Sequence, residues 1–244
     1  MPVQWPPPPR WSSFLESQTD RLFAIAAELQ ARATSASPEL VAQLTGVVDS
    51  GNRLIEAVDL LLSATSRPHD EVLKPAVEEV FVDLHVAATL AMGGQYKSAG
   101  VILRTTIETS LFVLYFLDHP IEARMWANQG SDMSFRVTLE TMTKAHYIAA
   151  ASGVEPDDAL LRLAKETLSA TYRSLSERVH GKHAFLNVTG DAKDRLFHFC
   201  RLGSDALDGI SLLAVLRLGA AAPGVEDSPS LKRLIDRWLT QTKT

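Results

Sequence analysis

The chain has 244 residues, of which 46% are hydrophobic and 22% are charged, a composition typical of a globular protein and not of a disordered one. Its formal net charge of −5 argues against a broad basic surface for nucleic acid, although a local basic pocket is compatible with that total. The single cysteine, Cys200, excludes an intramolecular disulfide and a thiolate metal cluster, and it suits a reducing cytoplasm.

Residues 1–11 form an arm rich in tryptophan and proline. Pro6 to Pro9 predict a short polyproline segment, and Trp5 and Trp11 flank it. Two exposed tryptophans would be a costly surface, so we expect this arm to dock on the body or on a second copy; the alternative is an exposed tail that binds a partner protein. The arm has no apolar signal core, and secretion is therefore not expected.

Apolar residues at helical spacing predict helices along the rest of the chain. Residues 12–68 read as a helical hairpin, with one helix to about residue 33 and a second that begins at Pro38 after the cap Ser37. The approximate bounds predicted for the later helices are 69–92, 95–117, 120–128, 133–151, 157–179 and 191–218. A C-terminal helix follows within 227–244, with Ser228 as its predicted cap. No stretch alternates as a strand does, so the predicted fold is an all-α bundle of about seven to nine helices.

The helix at 95–117 is the most apolar, and we expect it to be central. It carries Arg104 and Glu108 one turn apart. These two side chains could line a functional pocket, or they could form an internal ion pair that fixes the helix register, which is the interpretation we favour. The longest apolar run, Leu111 to Leu117, is far shorter than the roughly 20 residues that cross a bilayer, so no membrane association is expected.

The helix predicted at 157–179 carries the residues that are most suggestive of chemistry. Seven steps of about 100° bring Arg173 and His180 nearly into line, with Ser176 and Glu177 between them on the same face. A glycine follows His180, which places the imidazole near a helix C-terminus, where orphan carbonyls favour its protonated form. An arginine and a histidine therefore point in one direction, two turns apart.

An arginine followed after six residues by a histidine, near a helix end in an all-helical chain, resembles the signature of the HEPN superfamily. Ser174 stands directly after Arg173, where the commoner form of the signature has another polar residue, often asparagine. The segments 104–108 and 176–181 together also resemble bacterial helical families of unassigned function that are often grouped near that superfamily. The resemblance implies a HEPN-like core at residues 69–220, a homodimer, and metal-independent RNA cleavage in a cleft between protomers, for example in a defence or toxin–antitoxin system.

In that interpretation Arg173 binds the scissile phosphate through paired hydrogen bonds, and His180 is the general acid or base. Further residues are predicted to support the site: Ser176, Glu177, Tyr172, Arg104 and Glu108, with Arg178 and Lys182 as a basic edge for RNA. No cofactor is expected, and no metal either, because Gly181 separates His180 from His183 and no Glu-x-x-His spacing occurs.

Two other interpretations remain open from the sequence. In one, Arg173 pairs with Glu177 on the surface, His180 only ends the helix, and the chain is a non-catalytic helical interaction or scaffold module. In the other, a nucleotide or other small anion binds in a pocket of Arg104, Arg173 and His180. His85, with Asp83 nearby, could join such a polar cluster, although a satisfied core histidine is the simpler expectation.

Overall fold

The computed structural model describes residues 38–63, 70–92, 94–130, 132–179, 192–219 and 224–241. This part of the chain contains α-helices and no strand, which confirms the all-α prediction. The helices are α1 (Pro38–Ser63), α2 (Asp70–Met92), α3 (Tyr96–Phe116), α4 (Pro120–Gln129), α5 (Phe135–Met142), α6 (Ala145–Ser152), α7 (Asp158–Val179), α8 (Ala192–Leu218) and α9 (Pro229–Gln241). The tryptophan–proline arm and the first predicted helix lie outside the described residues.

Two helices, α3 and α8, occupy the centre of the bundle. α3 packs against α2, α4, α5, α7 and α8, and α8 packs against α1, α2, α3, α6, α7 and α9. Every residue from 206 to 217 in α8 is buried, as expected for a helix that is enclosed on all sides. At Gly209 an added Cβ would lie 2.9 Å from the side chain of Leu168, so glycine allows α7 to approach α8 closely at this point.

Local signals in the sequence explain where several helices begin. Asp157 caps α7, because its Oδ1 accepts hydrogen bonds from the backbone N–H groups of Ala159 at 2.7 Å and Leu160 at 3.4 Å. The predicted cap Ser228 accepts a bond from the N–H of Leu231 at 3.1 Å at the start of α9. Pro75 lies inside α2 and does not divide it.

The single helix predicted from 133 to 151 is two helices in the structure, α5 and α6. Lys144 between them has extended backbone, with φ −81° and ψ 130°. The hydroxyl of Thr143 donates to the carbonyl of Leu139 at 2.7 Å, a side-chain bond to the preceding turn that competes with regular helix geometry. Apolar periodicity continues through the break, which is why periodicity alone missed it.

A buried carboxylate joins three helices. Asp208 of α8 is 1% exposed and accepts two hydrogen bonds from Arg53 of α1, from Nε at 2.8 Å and from Nη2 at 3.1 Å. Arg237 of α9 donates to the same carboxylate. Arg53 Nη2 also donates to Ser50 Oγ at 2.9 Å. Desolvating a carboxylate costs several kcal/mol, and the two arginines offset this cost by pairing with its oxygens.

A second buried charge joins the end of α8 to the turn after α3. Arg217 is 6% exposed, and its Nε donates to Asp118 Oδ2 at 2.9 Å. The hydroxyl of Tyr147, on α6, donates to the same oxygen at 2.8 Å. Burial, together with the Asp118 charge and hydrogen bond, raises the pKa of Tyr147. His119, the residue after Asp118, stacks on Tyr115 with ring centroids 3.7 Å apart.

The central helix α3 is long and apolar enough to cross a membrane by the criteria of length and composition. This differs from the expectation based on the apolar run from Leu111 to Leu117. In the fold, 61% of the apolar stretch of α3 is buried against other helices, which is also the behaviour of a core helix in a water-soluble protein.

We expect Asp208→Ala to lower the free energy of unfolding by about 2–4 kcal/mol, because Arg53 would keep a largely buried charge without its partner. The measurement is urea-induced unfolding. Lys165→Ala is the matched control, since Lys165 and Glu140 form an exposed ion pair at 3.6 Å whose loss should cost less than about 1 kcal/mol. Equal losses in the two variants would contradict the role given to Asp208.

Candidate functional site

The predicted site residues that the structure describes lie on two adjacent helices. Arg104 and Glu108 are on α3, and α7 carries Tyr172, Arg173, Ser176 and Glu177. Arg178 belongs to the last turn of α7, but its side chain lies outside the described part, as do His180 and Lys182. The described site residues therefore lie at the α3–α7 junction and on the outer face of α7.

Arg104, Glu108 and Tyr172 form a hydrogen-bonded triad across the α3–α7 junction. Arg104 Nη2 donates to the Tyr172 hydroxyl at 2.7 Å and to Glu108 Oε1 at 3.2 Å. The Tyr172 hydroxyl donates to the same Glu108 oxygen at 2.5 Å. The internal ion pair favoured from the spacing of Arg104 and Glu108 is therefore present, and Tyr172 completes it from the neighbouring helix.

The triad is partly buried, and its protonation is well defined. The Arg104 and Glu108 side chains are 26% and 25% exposed. Burial raises the pKa of Tyr172, and the hydrogen bond to Glu108 raises it further. Burial lowers the pKa of Arg104, but the hydrogen bond with Tyr172 and the charge of Glu108 outweigh that effect and raise it. The tyrosine is neutral and the arginine charged near neutral pH.

Aromatic packing holds the Tyr172 ring in place. Phe135, the first residue of α5, stacks on this ring with centroids 4.0 Å apart and planes inclined by 9°. The guanidinium carbon of Arg104 lies 4.8 Å from the ring centroid of Tyr172. Phe135 was not among the predicted site residues, and no local motif marks it, because the contact depends on how α5 packs beside α7.

Arg173 lies on the opposite side of α7 from the core. It is exposed, as are Arg162 and Glu166 on the same outer ridge. Arg173 has no hydrogen bond or ion pair with the described residues, whereas Glu177 is partly buried and takes part in an interaction. The surface ion pair considered between Arg173 and Glu177 is therefore not present.

The polar residues around Arg173 are divided between two sides of α7. Consecutive residues of a helix point about 100° apart, so Arg173 is turned away from the triad that contains Tyr172. Ser176 donates to the backbone carbonyl of Tyr172 at 2.8 Å, which occupies its hydroxyl within the helix. The structure thus gathers Arg104, Glu108 and Tyr172 into one cluster and leaves Arg173 outside it.

The other polar groups considered from the sequence do not join this cluster. The ring nitrogen Nδ1 of His85 lies 2.5 Å from the carbonyl oxygen of Phe81 in its own helix. Asp83 is buried, and burial and the charge of Glu79 raise its pKa. Among the residues the structure describes, no group of three or more His, Cys, Asp or Glu could hold a metal ion.

We expect Tyr172→Phe to lower the free energy of unfolding by about 1–2 kcal/mol, because the hydroxyl that bridges Arg104 and Glu108 is removed while the stacking on Phe135 remains. Urea-induced unfolding measures the loss. Ser176→Ala is the matched control on the same helix, and it should change stability by less than about 0.5 kcal/mol, because its hydroxyl bonds only its own helix backbone. If Tyr172→Phe leaves the free energy of unfolding unchanged, the triad does not stabilise the fold.

Stability should fall at alkaline pH through Tyr172 and Tyr147. Both have a raised pKa when folded, so the unfolded chain loses these protons first as the pH rises above about 10. Their contribution is complete below that pH and is lost above it. Unfolding midpoints from pH 8 to 11 should therefore decline more steeply for the wild type than for Tyr147→Phe or Tyr172→Phe, and identical slopes would refute this assignment.

Comparison of the chain with protein-family models, with curated proteins and with solved structures finds no match. The resemblance carried by Arg173 and His180 therefore rests on the motif itself.

Proposed function

We propose that this chain is a metal-independent endoribonuclease or RNA-binding protein of the HEPN type, which acts as a cytoplasmic homodimer, for example as a toxin or defence effector. Arg173 binds the phosphate, and His180 transfers the proton. The observation that carries the proposal is the state of Arg173, which is exposed and has no counter-ion among the described residues.

A guanidinium that lies on a helix surface without a counter-ion is well suited to bind a phosphodiester. Its N–H donors match two phosphate oxygens, and no existing ion pair has to be broken before it binds. Arg104 differs in this respect, because Glu108 and Tyr172 already hold it. Of the two predicted arginines whose side chains the structure describes, Arg104 and Arg173, only Arg173 therefore offers a phosphate an uncompensated charge.

The proposed reaction needs only two side chains of each protomer. The ribose 2′-oxygen attacks the adjacent phosphorus, a bond to the 5′-oxygen of the next nucleotide breaks, and a cyclic phosphate remains. An imidazole moves the proton from the 2′-hydroxyl or to the leaving oxygen, and the arginine stabilises the charge that develops on the phosphate. The bundle supplies the rigid helix on which Arg173 is held.

A second candidate function, a non-catalytic interaction module, is favoured by exposed apolar side chains on other helices. Val82 and Val86 on α2 and Ile121 and Met125 on α4 are exposed. Each pair is spaced four residues apart, so each forms a short apolar stripe on a helix face. Such stripes are typical of surfaces that contact a partner protein.

We expect the purified wild type to cleave mixed RNA in excess chelator and to leave cyclic phosphate ends. Arg173→Ala and His180→Ala should each lower the cleavage rate by at least about a hundredfold, since each removes a group that stabilises or protonates the transition state. Light scattering of the same samples reports whether the protein is a dimer.

Arg162→Ala is the matched control, because Arg162 is an exposed arginine on the same outer ridge of α7. It should cleave at nearly the wild-type rate. Equal losses in Arg162→Ala and Arg173→Ala would indicate general electrostatic attraction and not a site. A folded wild-type dimer that leaves RNA intact would favour the interaction module.

A further inference from the structure

Helices α5 and α7 pack against each other and run in opposite directions. At the start of α5, the ring of Phe135 stacks on that of Tyr172, with centroids 4.0 Å apart. Further along α5, Glu140 pairs with Lys165 of α7 at 3.6 Å. Residue numbers rise along α5 between these two contacts and fall along α7, so the helices are antiparallel. The solvent-facing line between the two contacts is the α5–α7 seam.

An arginine follows each of the two stacked rings. Arg136 comes directly after Phe135, and Arg173 comes directly after Tyr172. One step along a helix turns the side chain by about 100°, and in two antiparallel helices that face each other both turns lead to the same side. Both arginines are exposed, which identifies that side as the solvent side. Arg136 and Arg173 therefore flank the α5–α7 seam, one from each helix.

The stacked rings also keep the two arginines close together. Packed helices have axes about 8–10 Å apart, and rings stacked at 4.0 Å require α5 and α7 to pack in this way. Consecutive Cα atoms are about 3.8 Å apart, so each arginine begins one residue away from the stacking point. The long side chains of Arg136 and Arg173 span half of the interhelical distance each, and both can therefore contact one strand that lies in the seam.

Neither arginine has a counter-ion among the described residues. The usual partner on a helix is a carboxylate one turn further on. For Arg136 that residue is Glu140, which pairs with Lys165 instead. For Arg173 it is Glu177, which is partly buried and takes part in an interaction of its own. Two like charges on one side of a seam repel each other, and an anion bound between them would remove that repulsion.

We propose that Arg136 and Arg173 form a two-arginine clamp, which binds the phosphate backbone of a single RNA strand across the α5–α7 seam. This inference rests on the proposed function, because it adds Arg136 to the phosphate site of Arg173. Each guanidinium binds phosphate oxygens through paired N–H donors. The stack of Phe135 on Tyr172 holds the two helices together, so the clamp is formed before the strand binds and little conformational entropy is lost.

The test measures binding of a short, labelled 2′-O-methyl oligouridylate by fluorescence anisotropy, in excess chelator and over a range of salt concentrations. This probe cannot be cleaved, because its 2′-oxygen carries no proton. For a single strand, each phosphate contact contributes about −0.7 to the slope of log K against log salt. Arg136→Ala and Arg173→Ala should therefore each make the slope shallower by about 0.7 and weaken binding at low salt at least about fivefold. The double variant should make the slope shallower by about 1.4.

Arg162→Ala is the matched control, because Arg162 is an exposed arginine on α7 that lies about 16 Å along the helix from Arg173. It should weaken binding by less than about twofold. Arg136→Lys keeps the charge but loses the paired donors, so it should keep the wild-type salt slope and bind more weakly than the wild type. Urea-induced unfolding should give the same midpoint for all these variants, since none of the three arginines bonds other described residues.

The outcomes separate this inference from the proposed function. If Arg173→Ala changes the salt slope while Arg136→Ala behaves like Arg162→Ala, the clamp is overturned and the phosphate site of Arg173 stands. Equal losses in all three alanine variants also overturn the clamp. Binding that depends on both Arg136 and Arg173, without cleavage of unmodified RNA, supports the clamp and contradicts the ribonuclease. Absence of binding by the folded wild type overturns both proposals.

Discussion

Burial of two opposite charges in α8 constrains most of the bundle. Asp208 and Arg217 lie in a helix that is enclosed from residue 206 to 217, and a buried charge without a partner would cost several kcal/mol. Asp208 therefore requires arginines from α1 and α9, and Arg217 requires Asp118 from the turn after α3. Non-directional apolar packing would allow helices to slide, whereas these bonds fix where three other segments meet α8.

The polar cluster on α3 follows from the same arrangement. α8 and α2 cover much of α3. Arg104 and Glu108 therefore find their hydrogen-bond partner on the side of α3 that faces α7. Tyr172 closes the triad there with one hydroxyl that both donates and accepts. One residue further along α7, Arg173 turns outward and keeps its charge. Adjacent positions on one helix thus provide a nearly neutral polar cluster and an arginine that has no counter-ion within the described ranges.

Periodicity and capping residues were enough to predict most helices, because both are local properties of the chain. The cap Ser228 and the helix start at Pro120 are examples, and the spacing of Arg104 and Glu108 correctly indicated an ion pair. The break near Lys144 was missed because apolar spacing continues across it. The pairing of Asp118 with Arg217 could not be predicted either, since the two residues are 99 positions apart and only the packing of α3 against α8 brings them together.

The balance of charge bears on how such a site could bind RNA at all. The whole chain carries a net charge of −5, and Glu166 accompanies Arg173 on the outer ridge of α7. A single free arginine neutralises about one phosphate, which gives a small electrostatic gain and a shallow dependence on salt. Affinity would then have to come from further contacts, such as a second arginine across the α5–α7 seam, and from a second protomer that brings its own arginine to the same strand. A weakly cationic site of this kind would bind RNA tightly only when such contacts are made together, because a single phosphate contact is weak alone.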